Sequence, residues 1–125
     1  MIYLAIDGDR IGDHLERYFL TEDLDAARQL SDLIKERLDD IASVIGETGD
    51  ELFKGGDSVL IKLDTLPEMN QLKSILWDHK IVFSCGISDS IRGSWLALKM
   101  AKVTRPSIVS YFKNEIDLNI EYKDQ

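Results

Sequence analysis

Apolar positions along the chain change period several times, and each change marks an element. Residues 2–7 (Ile2-Tyr3-Leu4-Ala5-Ile6-Asp7) run almost without polar interruption, the pattern of a strand buried on both sides. Residues 8–13 read as a loop, and Ile11 to Leu20 as a short helix or turn. Thr21 reads as an N-cap, with Glu22, Asp23 and Asp25 suited to the positive end of a helix dipole. Leu24, Ala27, Leu30, Leu33, Ile34, Leu38, Ile41, Val44 and Ile45 then recur at steps of three and four, which predicts one long amphipathic helix ended by Gly46.

Two apolar-rich runs, roughly 47–53 and 57–63, flank Gly55-Gly56 and predict a tight hairpin with Asp57 as the first residue after the turn. Asp64 and Thr65 read as caps of a helix with Pro67 in its first turn and Met69, Leu72, Ile75 and Leu76 on its apolar face. Residues 81–87 form a third apolar strand region. Ser88, Asp89 and Ser90 offer caps for a helix running to about Val103, with Ile91, Trp95, Leu98 and Ala101 facing the core. Pro106 stops that helix, and Ile108–Phe112 is another strand. Strict alternation of Ile116, Leu118, Ile120 and Tyr122 with polar residues predicts a half-exposed edge strand. The order is βααββαβαβ with an extra C-terminal strand. A hairpin among strands separated by helices excludes an all-parallel sheet. It predicts an α+β fold, a mostly antiparallel sheet with helices on one face around a ferredoxin-like core.

Composition narrows the class. The 125 residues form one domain (1–125), 44% hydrophobic with two prolines, which argues against broad disorder. No apolar run approaches the ~20 residues of a membrane span, and no basic leader opens the chain, so a cytoplasmic protein without membrane binding is expected. Cys85 is the only cysteine and lies in an apolar strand, the setting of a small buried side chain. The net charge of −8 is uneven: residues 1–79 carry 18 acidic and 8 basic side chains, whereas residues 80–113 carry 1 acidic and 6 basic. An acidic chain is a poor match to duplex nucleic acid, and no stable nucleic-acid binding is expected. Carboxylates for a metal and lysines for phosphates suit a magnesium–nucleotide site instead.

The candidate chemistry lies at Asp7 and Asp57. Asp7 ends a strand, Asp57 follows a turn whose backbone only hydrogen covers, and a first strand commonly pairs with one arm of such a hairpin. Two convergent carboxylates beside glycine backbone describe two-metal phosphoryl chemistry, with two Mg²⁺ (or Mn²⁺) ions roughly 3.5–4 Å apart. Such a site needs no histidine base, and His14 and His79 read as surface residues.

Four stretches resemble one group of proteins. Asp7-Gly8-Asp9-Arg10-Ile11-Gly12 is similar to the D-x-D-x-x-G motif, and Lys54-Gly55-Gly56-Asp57 to the G-G-D hairpin, of the nucleotidyl-cyclase palm superfamily. Ser84-Cys85-Gly86-Ile87-Ser88 resembles its S-x-G-I strand, and Ala97-Leu98-Lys99-Met100-Ala101-Lys102 its final A-L-x-x-A-K helix. That superfamily contains GGDEF diguanylate cyclases, class III adenylate cyclases and the polymerase subunit of type III CRISPR systems. The compact size and the D-x-D-x-x-G form are most similar to the stand-alone minimal CRISPR polymerases.

The resemblance implies a ferredoxin-like palm in which Asp7 and Asp57 are catalytic and hold the metals, with the Gly8 carbonyl and Asp9 as further metal-site members. It implies that Gly55 and Gly56 let the triphosphate approach, that Lys102 and Arg105 hold phosphates, and that Lys54, Ser58, Ser84 and Ser88 meet the nucleotide. Leu15 stands where diguanylate cyclases carry a guanine-reading asparagine, the R-x-x-D inhibitory arginine is missing before Glu47–Asp50, and Ser58 replaces an acidic residue. These departures disfavour guanine, and the resemblance to the CRISPR-type palms, which polymerise and cyclise adenylate, implies ATP. The implied activity is synthesis of a cyclic di- or oligoadenylate by a homodimer, with the product sensed by a separate effector in prokaryotic antiviral defence. The alternatives are a degenerate palm that binds a nucleotide or cyclic dinucleotide, an adenylate cyclase forming cyclic AMP, and a ferredoxin-like interaction module. Taken singly, each motif also reads as an ordinary turn or helix end; four in order favour function.

Overall fold

The apolar runs fold in the predicted order in the computed structural model, which describes residues 1–103, 106–112 and 119–123. The elements are β1 (Ile2–Gly8), α1 (Ile11–Leu20), α2 (Leu24–Ile45), a 3₁₀ turn (Gly46–Thr48), β2 (Asp50–Gly55), β3 (Ser58–Leu63), α3 (Met69–Trp77), β4 (Phe83–Ser88), α4 (Ile91–Ala101), β5 (Ser107–Tyr111) and β6 (Asn119–Tyr122). The strands form one sheet in the order β2-β3-β1-β4-β5-β6. All neighbours are antiparallel except β4 and β5, which α4 joins as a parallel crossover. This is the α+β, mostly antiparallel palm-like architecture that the element order predicts.

The helices do not share one face, and here the expectation is corrected. Leu4, Ile6, Val59, Ile61, Leu63, Phe83, Cys85, Ile87 and Ile108 pack with Ile34, Leu38, Ile41 and Ile45 of α2 and Leu72, Leu76 and Trp77 of α3. The alternate strand positions point the other way, where Ala5 and Leu60 meet Leu98 and Trp95, and Val109 meets Ala97 and Ala101. The sheet is therefore covered by α2 and α3 on one side and by α4 on the other. A parallel β4-α4-β5 crossover must place its helix on one face, and the other helices already occupy the first.

The α4 side is lined by small residues. A Cβ on Gly86 would lie 2.1 Å from the Ser94 carbonyl oxygen and 2.3 Å from the Leu98 nitrogen, so glycine is what lets the helix backbone rest on β4. The α2 side is filled by large ones, each buried Leu or Ile contributing about 1.5–3 kcal/mol of transfer free energy. One charge is buried there. Arg37 of α2 donates to the Ile75 carbonyl at 2.5 Å and lies 5.4 Å from the centre of the Phe83 ring, and desolvation lowers its pKa.

Several boundaries differ from the sequence reading. Asp23, not Thr21, caps α2 by accepting from Ala26 N–H, while Thr21 closes α1 through the Arg17 carbonyl. Glu68 caps α3 by accepting from Asn70 and Gln71 N–H, so Asp64, Thr65 and Pro67 all precede the helix. Leu24 and Ile91, expected on core faces, are exposed as the first residues of their helices. β6 is an edge strand as predicted, but all four of its residues are exposed, so the expected half-burial is not seen there; Ile116 and Leu118 lie outside the described residues. Among the described residues, no helix is long and apolar enough to cross a membrane.

Candidate active site

Central position in the sheet gives Asp7 its setting. It ends β1 between Ser58 of β3 and Ser84 of β4, so its side chain projects from the middle of a strand row on the α4 side. The hairpin brings the second carboxylate. Gly55 pairs with Ser58, which makes Gly56-Asp57 a two-residue turn and places Asp57 inside it rather than after it. Gly56 has φ of +60°, and Asp57 has no positive φ, the pattern of a II′-like turn led by glycine. Gly8 N–H donates to the Asp57 carbonyl at 3.0 Å, tying the turn to the end of β1. A Cβ on Gly8 would come within 3.3 Å of Asp57 Oδ2 and 2.6 Å of an Ile11 side-chain carbon. Glycine at position 8 thus keeps the two carboxylate-bearing loops together.

The carboxylates interact directly. Burial, followed by a hydrogen bond with Asp7 and the charge of Asp7, raises the Asp57 pKa to about 6, and Lys102 opposes the rise. Ser58 Oγ donates to Asp7 Oδ1 at 2.8 Å. Lys102, the C-cap of α4, places its ammonium on Asp7 Oδ2, a contact between residues 95 positions apart. Two acids lie close in a partly buried place, and Lys102 is the cation among the described residues that interacts with them. Among the described residues no three His, Cys, Asp or Glu side chains gather around one point. Magnesium fits such a sparse donor set, because it is held by one or two carboxylates and takes substrate phosphate oxygens and water for the rest.

Beside the turn lies a hollow of about 610 Å³. Ile11, Leu15, Ile34 and Leu38 line it with carbon, Ser31, Lys35, Asp39 and Lys54 supply polar groups, and Gly55, Gly56 and Asp57 form its wall toward the carboxylates. Its size and apolar lining match a small organic ligand with a few polar anchors. Lys54 faces this side of the sheet and pairs with Asp39 at 2.6 Å and Glu51 at 3.6 Å, the Asp39 hydrogen bond being the main cause of its raised pKa. Sequence reasoning missed Ser31, Lys35 and Asp39. A signal was present: residues 31, 34, 35 and 38 share one helical face, polar at 31 and 35 where a core stripe would be apolar.

Other candidates are placed elsewhere. Asp9 donates its N–H to the Val82 carbonyl and lines a separate hollow of about 330 Å³ on the other side of α1, with His14, Tyr18 and Lys80. Ser84 is beside Asp7 in the strand row but is fully buried, and accepts from Ser107 N–H at 3.4 Å. Ser88 pairs with Tyr3 at the far end of β1, about 13 Å along the strand from the Asp7 row. It is buried where a Cβ on Gly93 would meet its hydroxyl at 2.2 Å, so it is a packing residue of α4 and not part of this site. Arg105 lies outside the described residues.

The sheet, the paired carboxylates and the glycine turn define a palm domain of the kind used by nucleotidyltransferases. Residues 3–112 match mCpol, the minimal CRISPR polymerase domain, so the chain belongs to that family. Membership points to a CRISPR-associated polymerase or cyclase, hence a nucleotidyltransferase. No curated protein matches the chain.

Proposed function

We propose that the chain condenses ATP into a cyclic di- or oligoadenylate. The observation that carries this reading is the meeting of Asp7, Asp57 and Lys102, with Asp57 also in the wall of a nucleoside-sized hollow. The hollow receives the base and ribose of the donor ATP, and Gly55 and Gly56 let its triphosphate run past the turn. Lys102, released from Asp7, turns to the β- and γ-phosphates. Asp7, Asp57 and the Gly8 carbonyl are the groups that would hold two Mg²⁺ or Mn²⁺ ions. When bound, these supply Lewis-acid stabilisation of charge on the attacking and leaving oxygens.

The ribose hydroxyl of a second ATP attacks the α-phosphorus of the first. A P–O bond to that hydroxyl forms, the bond from the α-phosphorus to the bridging oxygen breaks, pyrophosphate departs and the hydroxyl proton passes to solvent. Repetition closes the ring. Each palm offers one donor position, so two copies facing each other would supply the pair of triphosphates for a cyclic dinucleotide. The product then serves a separate effector in antiviral defence in the cytoplasm.

The test is incubation with Mg²⁺ or Mn²⁺ and each NTP, read by mass spectrometry, with Asp57→Ala as control. A cyclic adenylate lost in the variant supports the reading, and a mass equal to cyclic AMP redirects it to intramolecular attack. Ser58 gives one specific reason to keep a second reading, since its hydroxyl occupies the place of a further hairpin carboxylate. A nucleotide-binding palm without turnover would raise the melting temperature with ATP yet yield no product.

A further inference from the structure

The hollow beside the glycine turn has two ends, and α2 runs from one to the other. Asp39 marks the hairpin end, because Lys54, the residue before Gly55, pairs with it at 2.6 Å. Lys35 lies one helical turn back along α2 and Ser31 two turns back, about 6 and 12 Å from Asp39 along the axis. On α1 the same progression leads from Ile11, whose side chain lies against Gly8, to Leu15 one turn further from the carboxylates. Two helical turns are comparable to the length of a nucleoside. A nucleoside whose phosphates pass the glycine turn therefore has its base between Leu15 and Ile34, with Lys35 and Ser31 at its edge.

The polar groups at that end differ from those at the hairpin. Lys54 is held by Asp39 and Glu51. Lys35 has no ion pair among the described residues, and Ser31 is half-buried one turn away. The base end thus offers an ammonium, which only donates, and a hydroxyl, which donates or accepts. The carboxylates of the lining, Asp39 and Asp57, both belong to the hairpin end.

We propose that Lys35 and Ser31 read the purine edge and select adenine over guanine. This rests on the placement of the donor ATP in the hollow proposed above. Adenine carries an acceptor at N1 next to the N–H groups at N6. Lys35 donating to N1 and Ser31 accepting from N6 satisfy both. Guanine in the same pose presents O6 to Ser31, to which the hydroxyl donates, but it turns N1–H toward the ammonium. Two donors then face each other, and the ammonium has no lone pair to offer. Discrimination falls on position 1 of the purine, and Lys35 carries it.

The experiment reads affinity, so it does not depend on turnover. The full chain is titrated calorimetrically with ATP, ITP and 1-deaza-ATP, with Ca²⁺ in place of Mg²⁺. ITP carries N1–H and O6 without a 2-amino group, and 1-deaza-ATP has C–H in place of the N1 acceptor. The unaltered protein should bind ATP about tenfold tighter than either analogue, a moderate ratio because Lys35 is exposed to water. Lys35→Met should bring ATP to the level of 1-deaza-ATP, and Lys35→Glu, which supplies an acceptor, should reverse the order of ATP and ITP. Ser31→Ala should narrow the preference for ATP over purine riboside triphosphate, which lacks the 6-amino group. These are ratios within one variant, so a change in overall stability does not imitate them. An ATP to 1-deaza-ATP ratio that Lys35→Met leaves unchanged overturns the assignment while nucleotide binding itself stands. Absence of binding by every nucleotide overturns the assignment and the donor hollow together. The expected ratios without any product would keep the assignment and remove the condensation reading alone.

Discussion

The two sides of the sheet solve different problems with the same strands. On the α2 and α3 side, long side chains fill the space between layers, and even Arg37 is enclosed. On the α4 side, Ala5, Gly86, Ser94, Ala97 and Ala101 let a helix backbone come down onto the sheet, and the surface beyond it is left open. Close approach matters for chemistry, because it delivers Lys102 from the end of α4 to Asp7 at the end of β1. The thick side supplies most of the buried apolar area. The thin side supplies the Lys102–Asp7 contact, and the thick side borders the hollow.

The largest expected effect breaks the thin side's chemistry without touching its packing. Asp57→Ala should lower product formation by about 1,000-fold or more while leaving far-UV circular dichroism unchanged. Activity within tenfold of the parent would remove Asp57 from the reaction. Next comes a test of the packing contrast itself. Gly86→Ala must displace α4 backbone and should cost about 3 kcal/mol in urea unfolding, whereas Leu72→Met on the thick side should cost less than about 1.5 kcal/mol. Equal costs would erase the distinction between the faces.

A smaller effect concerns the carboxylate pair. The Asp57 carboxyl is raised in the folded state from 3.8 to about 6, so folding favours its protonated form. That contribution is present below about pH 4 and is lost as the pH rises through about 6. Asp57→Asn should therefore stabilise the metal-free protein at pH 7.5 by about 1 kcal/mol, a value discounted for partial exposure. It should also flatten the fall in stability between pH 4 and 6. Thermal melts in chelator across that range check both, and a destabilised Asp57→Asn protein at pH 7.5 would contradict the assigned strain.

Much of this was legible in the chain. The helical period of residues 24–45, the hairpin and the alternation of the last strand all became the elements they predict. Helix starts were misplaced where several capping residues compete. Thr21 and Asp23 both suit an N-cap, but the positive φ of Glu22 breaks the chain between them and hands the role to Asp23. Pro67 suits a first helical turn, yet Glu68 reaches two free N–H groups after it and becomes the cap. Ser88 was drawn to the site by its motif, and strand geometry carries it to the other end of the sheet.

What the sequence determined by itself was local and periodic. It set the order of elements, one carboxylate near the end of β1 and another next to the Gly55-Gly56 pair, and the lysine at the end of α4, because these depend on residue spacing and backbone freedom within a few positions. Only the tertiary structure decided which side of the sheet α4 covers, that Lys102 reaches Asp7, and that the hollow lies on the α2 side while the Asp7 side chain is on the α4 side. Those outcomes depend on strand pairing across dozens of residues and on how closely a helix can approach glycine and alanine, a fit between distant surfaces that no single stretch contains.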